Sequence, residues 1–189
     1  KLAEALWRNE TSYQGAAIMV GSGFSRSAAS SGDINSKLPL WNDLLKVLSK
    51  DLESDPWGDP IRISEEYSSY FGKQALKDVI EQTVNDPAWI PGDLYGSLLK
   101  LPWTEVLTTN WDTLLERAAS DIYKPIYSIV NKPEDLSSSR SPRIVKLHGT
   151  VQISHNLIFT QEDYRQYPKT HAAFVNLARQ VFIENEFCL

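Results

Sequence analysis

An α/β fold with a mainly parallel sheet is predicted by two patterns in the sequence. From residue 105 onward, short apolar runs alternate with stretches of helical period. Near the start, Ala16-Ala17-Ile18-Met19-Val20 is apolar without interruption, as expected of a strand buried on both faces. The 189 residues suit one ordinary domain, and 42% hydrophobic against 23% charged residues argues against general disorder.

The elements follow in order. Leu2 to Tyr13 has helical spacing, with Leu2, Ala5, Leu6 and Trp7 on one face. After the strand Ala16 to Val20, Gly21-Ser22-Gly23-Phe24-Ser25-Arg26 opens a Ser/Gly/Asn-rich loop to about Lys37. Leu40 to Leu52 is an amphipathic helix with Leu40, Leu44, Val47, Leu48 and Leu52 together. Asp55 to Asp59 is a loop, and Gly72 to Val84 a second amphipathic helix with Leu76, Val79 and Ile80 inward. Asp93 to Leu101 is a short helix that stops before Pro102. Glu105 to Thr108 reads as a strand, Asn110-Trp111-Asp112 as a turn and Thr113 to Ala119 as a helix. Strands follow at Ile126 to Val130 and Ile144 to Leu147, separated by a polar loop from Asn131 to Pro142. Leu157 to Thr160 reads as another strand, with a helix from Gln161. His171 to Asn185 is a long helix with Phe174, Leu177, Ala178, Val181 and Phe182 inward. Glu186-Phe187-Cys188-Leu189 reads as the opening of a further strand, and the chain begins at Lys1, so a longer protein is expected.

Composition removes several classes of function. The single cysteine, Cys188, allows neither an internal disulfide nor a multi-cysteine zinc site. Acidic and histidine residues show no ligand spacing, so no metal is expected. A net charge of -5 lacks the basic footprint of a nucleic-acid-binding domain. No run reaches the roughly 18–20 apolar residues of a membrane helix, and no signal peptide is visible. These features suit a reducing cytosol.

Chemistry is expected beyond the C-terminal ends of parallel strands, and three strand ends carry unusual residues. Gly21-Ser22-Gly23-Phe24-Ser25 follows the first strand. It is either a small-residue turn or a place where exposed amides approach phosphate. It is not a full dinucleotide fingerprint, because Arg26 occupies the third glycine position. Thr108-Thr109-Asn110-Trp111-Asp112 follows another strand, and Asn110 or Asp112 could simply cap the next helix. Lys146-Leu147-His148-Gly149 ends a third, where an imidazole can titrate near neutrality. His155 and His171 lack such context and read as surface residues.

Together and in this order, GSGFS, TTNWD and KLHG resemble the sirtuin superfamily, across about Ala16 to Gly149. Gly21, Gly23 and Ser25 match its glycine-rich GAGxS loop. Asn110 and Asp112 match its TQNxD segment, and His148 its catalytic histidine before glycine. Pro39, Trp41 and the segment Thr160-Gln161-Glu162-Asp163-Tyr164 are most similar to the branch found in bacterial anti-phage defence proteins. The chain departs from protein deacylases in lacking their four-cysteine zinc module and their IPDFR string. The resemblance implies a Rossmann-like three-layer α/β fold over residues 1–189, with a helical insertion at about 40–101 and a truncated C-terminal end.

The implied chemistry is hydrolysis of NAD at the nicotinamide–ribose bond, with NAD as substrate and no metal. The amides of Ser22 and Gly23 and the Ser25 hydroxyl would hold phosphate, with Arg26 assisting by charge. Asn110 would orient the ribose and the attacking water, and His148 would accept a proton. Gly21, Thr109 and Gly149 complete the expected contacts, and Asp112 either holds the Asn110 loop or contacts the carboxamide. Trp41 and Trp111 are expected to pack on helices, Trp111 beside the pocket, while Trp7, Trp57, Trp89 or Trp103 would face a partner. The alternative is a module that senses NAD or ADP-ribose without turnover. Either would sit in the cytoplasm as a homo-oligomer, controlled by further domains or a partner protein, touching neither nucleic acid nor membrane.

Overall fold

A computed structural model describes residues 1–7, 15–32, 36–56, 58–185 and 187–188. Helix α1 (Leu2–Trp7) leads to strand β1 (Ala16–Val20), then to the one-turn helix α2 (Ser22–Ser25) and strand β2 (Ala29–Ser30). Helices α3 (Trp41–Asp51), α4 (Pro60–Phe71) and α5 (Lys73–Val84) precede strand β3 (Trp89–Ile90) and helix α6 (Asp93–Leu99). Strand β4 (Glu105–Thr108), helix α7 (Leu114–Asp121), strand β5 (Ser128–Val130) and strand β6 (Arg143–Lys146) follow. Helices α8 (Gln161–Thr170) and α9 (Ala172–Glu184) and strand β7 (Phe187–Cys188) end the described chain.

The main sheet has the order β5-β6-β4-β1-β7, and every pairing in it is parallel. This is the predicted three-layer α/β arrangement. Side-chain alternation along the strands divides the core. Ala16, Val20, Val106 and Ile144 pack with Ala5 and Leu6 of α1, Tyr95 and Leu99 of α6, and Leu114, Leu115 and Ala118 of α7. Ala17, Leu107 and Val145 turn the other way, onto Phe174, Leu177 and Val181 of α9. Helices α3, α4 and α5 build a third cluster, from Leu44, Leu45, Leu48, Ile63, Tyr67, Leu76 and Ile80. It also takes in Trp111 and Phe159. The antiparallel β2–β3 pair closes the two ends of this helical segment together.

Several expectations need correction. Pro60–Phe71 is a helix that hydrophobic spacing did not announce, because its buried face includes Ser64 beside Ile63 and Tyr67. Its start was marked all the same: Asp59 accepts from the Ile61 N–H, and Pro60 opens the first turn. Leu157 to Thr160 is buried but forms no strand. The Ile158 N–H goes to the His148 carbonyl, and those of Phe159 and Thr160 go to the Asp163 carboxylate. The expected loop after β1 is helical at Ser22–Ser25. Met19 is 53% exposed, so β1 is not buried on both faces along its whole length. Phe182 is 69% exposed, since only Phe174, Leu177 and Val181 fall on the buried stripe. Trp7 is 60% exposed, whereas Trp89 and Trp103 are buried, their indole N–H groups bonded to the carbonyls of Val84 and Leu98. Residues 8–13 of the first expected helix, Trp57, and Glu186 and Leu189 of the last expected strand lie outside the described residues.

Two substitutions test this core. Leu48→Ala removes a fully buried side chain and is expected to cost about 2–5 kcal/mol in denaturant unfolding. Phe182→Ser, on the exposed flank of α9, is expected to stay within about 0.5 kcal/mol of the native protein.

Candidate active site

The register of the sheet assembles the site. Val20 of β1 pairs with Thr108 of β4, and Thr108 pairs with Lys146 of β6. The three strands therefore end at one level, and the loops beginning at Gly21, Thr109 and Leu147 leave side by side. Thr108 ties two of them together. Its hydroxyl donates to the Val20 carbonyl (2.8 Å) and accepts from the Asn110 N–H (3.0 Å).

Side chains of the first two loops then meet in a relay. Ser25 Oγ donates to Asp112 Oδ2 (2.7 Å), and Asn110 Nδ2 donates to Ser25 Oγ (2.8 Å). A carboxylate can only accept, so the serine proton is committed to Asp112. Ser25 must then accept from Asn110, which fixes the amide group of Asn110 as the inward donor. Among the described residues its Oδ1 is left buried without a partner. Asp112 fulfils the capping role as well, since its Oδ1 accepts from the Leu114 N–H at the start of α7 (3.2 Å). The relay changes the expected role of Ser25: its proton serves Asp112 instead of a phosphate.

Beneath the relay lies a charged foundation that sequence reading missed. Lys146 is 1% exposed; its ammonium donates to the Asp112 carbonyl and pairs with Glu116 Oε1 at 3.1 Å. Burial raises the pKa of Glu116, and the Lys146 charge opposes that rise. Asp86 secures the other side by accepting from the Thr113 N–H (2.7 Å) and hydroxyl (2.6 Å). Arg117 joins Asp86 (3.5 Å) and donates to the carbonyls of Asp86 and Trp89. Asp86, two residues past the end of α5, thus holds the turn that carries Asn110 and Asp112. Charged residues are ordinarily surface residues, so composition alone gave no sign of these partnerships.

His148 sits at the β6 end between Tyr164 and Tyr167. Burial, with a smaller effect from His171, pushes its pKa down to about 4. The ring is therefore neutral at pH 7 and able to accept a proton. Gly149 turns the chain at φ 80°, a conformation that disfavours any side chain. His171 is half-buried, contrary to expectation, with its ring stacked on Tyr167 at 4.7 Å. The side chain of His155 lies outside the described residues.

A cavity opens beside this assembly, lined in part by Ser22, Thr109, Asn110 and Asp112. Its apolar wall comes from Leu38, Pro39, Leu40, Trp41, Val84 and Trp111. Trp41, Trp111 and Phe159 pack mutually, with ring centroids 4.8–5.2 Å apart. Trp111 thus both packs and lines the cavity. At Gly21 and Gly23 an added Cβ would meet nothing within 4 Å, so glycine there leaves open room beside the backbone. Arg26 is exposed and, like His148 and Gly149, is not part of the cavity wall. Among the described residues no group of three or more His, Cys, Asp or Glu could hold a metal ion. None of the described helices is long and apolar enough to cross a membrane.

Comparison with known proteins places the chain near sirtuin-like proteins. Residues 104–189 match the SIR2-like domain family. The chain is 27% identical over 165 residues to NAD(+) hydrolase ThsA of Cytobacillus dafuensis, covering 84% of this chain and 31% of the relative. It is 29% identical over 164 residues to NAD(+) hydrolase ThsA of Acinetobacter baumannii (strain 532279), covering 84% and 32%. Defense-associated sirtuin 2 of Bacillus subtilis is 23% identical over 158 residues, covering 77% and 15%. The chain thus spans about a third or less of the length of these relatives.

Two measurements test the site. The His148 ring is expected to titrate near pH 4 by NMR; a midpoint near the ordinary 6.5 contradicts the desolvated environment. Because its pKa is depressed on folding, the stabilising preference for the neutral ring holds above pH 6.5 and is lost as pH falls toward 4. Lys146→Met is expected to destabilise by about 3–5 kcal/mol by stranding Glu116, and adding Glu116→Leu should restore most of the loss.

Proposed function

We propose that this chain is a sirtuin-like catalytic domain that hydrolyses NAD to nicotinamide and ADP-ribose. One observation carries the reading. Asn110, its amide orientation set by Ser25 and Asp112, leaves the sheet beside a neutral His148. Scission of the glycosidic bond passes through an oxocarbenium-like state, and the bonding electrons leave with the nicotinamide ring. Water supplies the new C–O bond and loses one proton. His148 takes up that proton, directly or through a ribose hydroxyl, and later returns it to solvent. Asn110 orients ribose and water, and the cavity beside it takes the nicotinamide end of the substrate. Gly21, Ser22 and Gly23 give the pyrophosphate room and amide donors, with Arg26 contributing charge from outside; Thr109 and Asp112 line the cavity, and Gly149 sets the turn after His148.

The names of the relatives, two NAD(+) hydrolases and one defense-associated sirtuin, together with the motifs of the anti-phage branch, support a place in anti-phage defence, where a triggered enzyme depletes NAD. Such an enzyme endangers its own cell and must be restrained. We therefore assign it to the cytoplasm, to a homo-oligomer, and to control by further domains or a partner protein.

The test follows nicotinamide and ADP-ribose by chromatography, using the full-length protein with and without candidate triggers. Equal amounts of the two products are expected, falling about 10²–10⁴-fold in His148→Ala and to a similar extent in Asn110→Ala. Micromolar NAD binding with no turnover under any trigger would replace the hydrolase with a sensor.

A further inference from the structure

The segment Thr160-Gln161-Glu162-Asp163-Tyr164 has no part in the reaction as described, yet its geometry is tightly set. Thr160 and Asp163 cap α8 reciprocally: the Asp163 N–H donates to Thr160 Oγ1 (3.2 Å), and the Thr160 N–H donates to Asp163 Oδ2 (3.0 Å). Fixing the first turn fixes which way the helix faces. Tyr164 and Tyr167, three residues apart, then share a side.

That side meets His148. The imidazole lies edge-on to Tyr164 at 5.4 Å and to Tyr167 at 6.1 Å. The Tyr167 hydroxyl donates to the Leu147 carbonyl (2.9 Å), and the Ile158 N–H donates to the His148 carbonyl (3.1 Å). The backbone around His148 is thus held by residues 158–167. Tyr164 Oη lies 3.5 Å from His148 Nδ1. Among the described residues Nε2 has no partner. The two ring nitrogens are therefore inequivalent: Nδ1 faces Tyr164 of α8 and Nε2 does not.

We propose that Tyr164 is a positioning residue whose hydroxyl oxygen accepts the Nδ1–H of neutral His148, leaving Nε2 as the nitrogen that takes up the proton. The proposal rests on the reading of His148 as the base. On protonation Nε2 gains the proton, Nδ1–H stays on the tyrosine oxygen, and no proton passes to Tyr164. The titratable groups facing the ring are Tyr164 and Tyr167 of α8 and His171 at its end, with Asp163 and Glu134 acting on them in turn. Burial raises the ionisation of Tyr164 above its ordinary value, so it serves as a neutral hydroxyl.

The experiment combines ¹⁵N NMR of labelled histidine at pH 7.5 with steady-state NAD hydrolysis, using the full-length protein and its Tyr164→Phe variant. The native His148 is expected as the Nδ1–H tautomer, and Tyr164→Phe should move the population toward Nε2–H. In the variant kcat should fall about tenfold while KM changes less than about twofold, the signature of a lost orienting contact. A native Nε2–H tautomer overturns the proposal, and so does an unchanged tautomer in Tyr164→Phe. A shifted tautomer with kcat within twofold of native also overturns the positioning role. Should the variant not fold, the native spectrum decides by itself. Full NAD turnover in His148→Ala would instead remove the base, a failure separate from the tautomer result.

Discussion

The in-register parallel pairing of Val20, Thr108 and Lys146 is the constraint on which the rest of the site depends. Parallel strands that end at one level deliver their following loops to one edge of the sheet. Residues far apart in sequence, Ser25, Asn110 and His148, are assembled there with no long excursion of the chain. A slip of one residue in β4 would exchange its faces. Val106 would leave the α7 layer, and the Thr108 hydroxyl would lose the Val20 carbonyl and the Asn110 N–H together. Packing thus enforces the alignment that chemistry needs.

The polar scaffold beneath that edge has a different energetic logic. Lys146, Glu116, Asp86 and Asp112 are largely withdrawn from water, and each such group is costly unless paired. Hydrophobic substitutes would serve stability at least as well in general. What the charges and hydroxyls supply is direction. Lysine holds one carbonyl of the turn, Asp86 holds one N–H and one hydroxyl, and the Ser25 relay selects one face of the Asn110 amide. The helical segment participates through Asp86, two residues past the end of α5, and through Val84 on the cavity wall. A movement of these helices would therefore be felt at Asn110.

Strong local pattern made most of the fold legible. The apolar run at β1 and the helical stripes at α3, α5 and α9 follow from spacing alone. Helix α4 escaped because its buried face mixes serine with isoleucine and tyrosine, although Asp59 and Pro60 marked its start. Leu157 to Thr160 misled because burial, not pairing, explains its apolar character. At the site, Gly21, Ser25, Asn110, Asp112 and His148 were readable as motif residues. Lys146 and Tyr164 stood inside quoted motifs, but their roles depend on tertiary contacts with Glu116 and His148, which spacing does not encode. The two proton arrangements of the Ser25 relay could be told apart only with Asp112 in view.

The account stands on Asn110 and His148 acting on the same part of one substrate. A crystal structure of His148→Ala with NAD bound tests this most directly. The account predicts the nicotinamide ribose between Asn110 and the position vacated by the imidazole, with the pyrophosphate along Gly21 to Gly23. NAD bound with its nicotinamide end away from Asn110, or away from this sheet edge altogether, would contradict it.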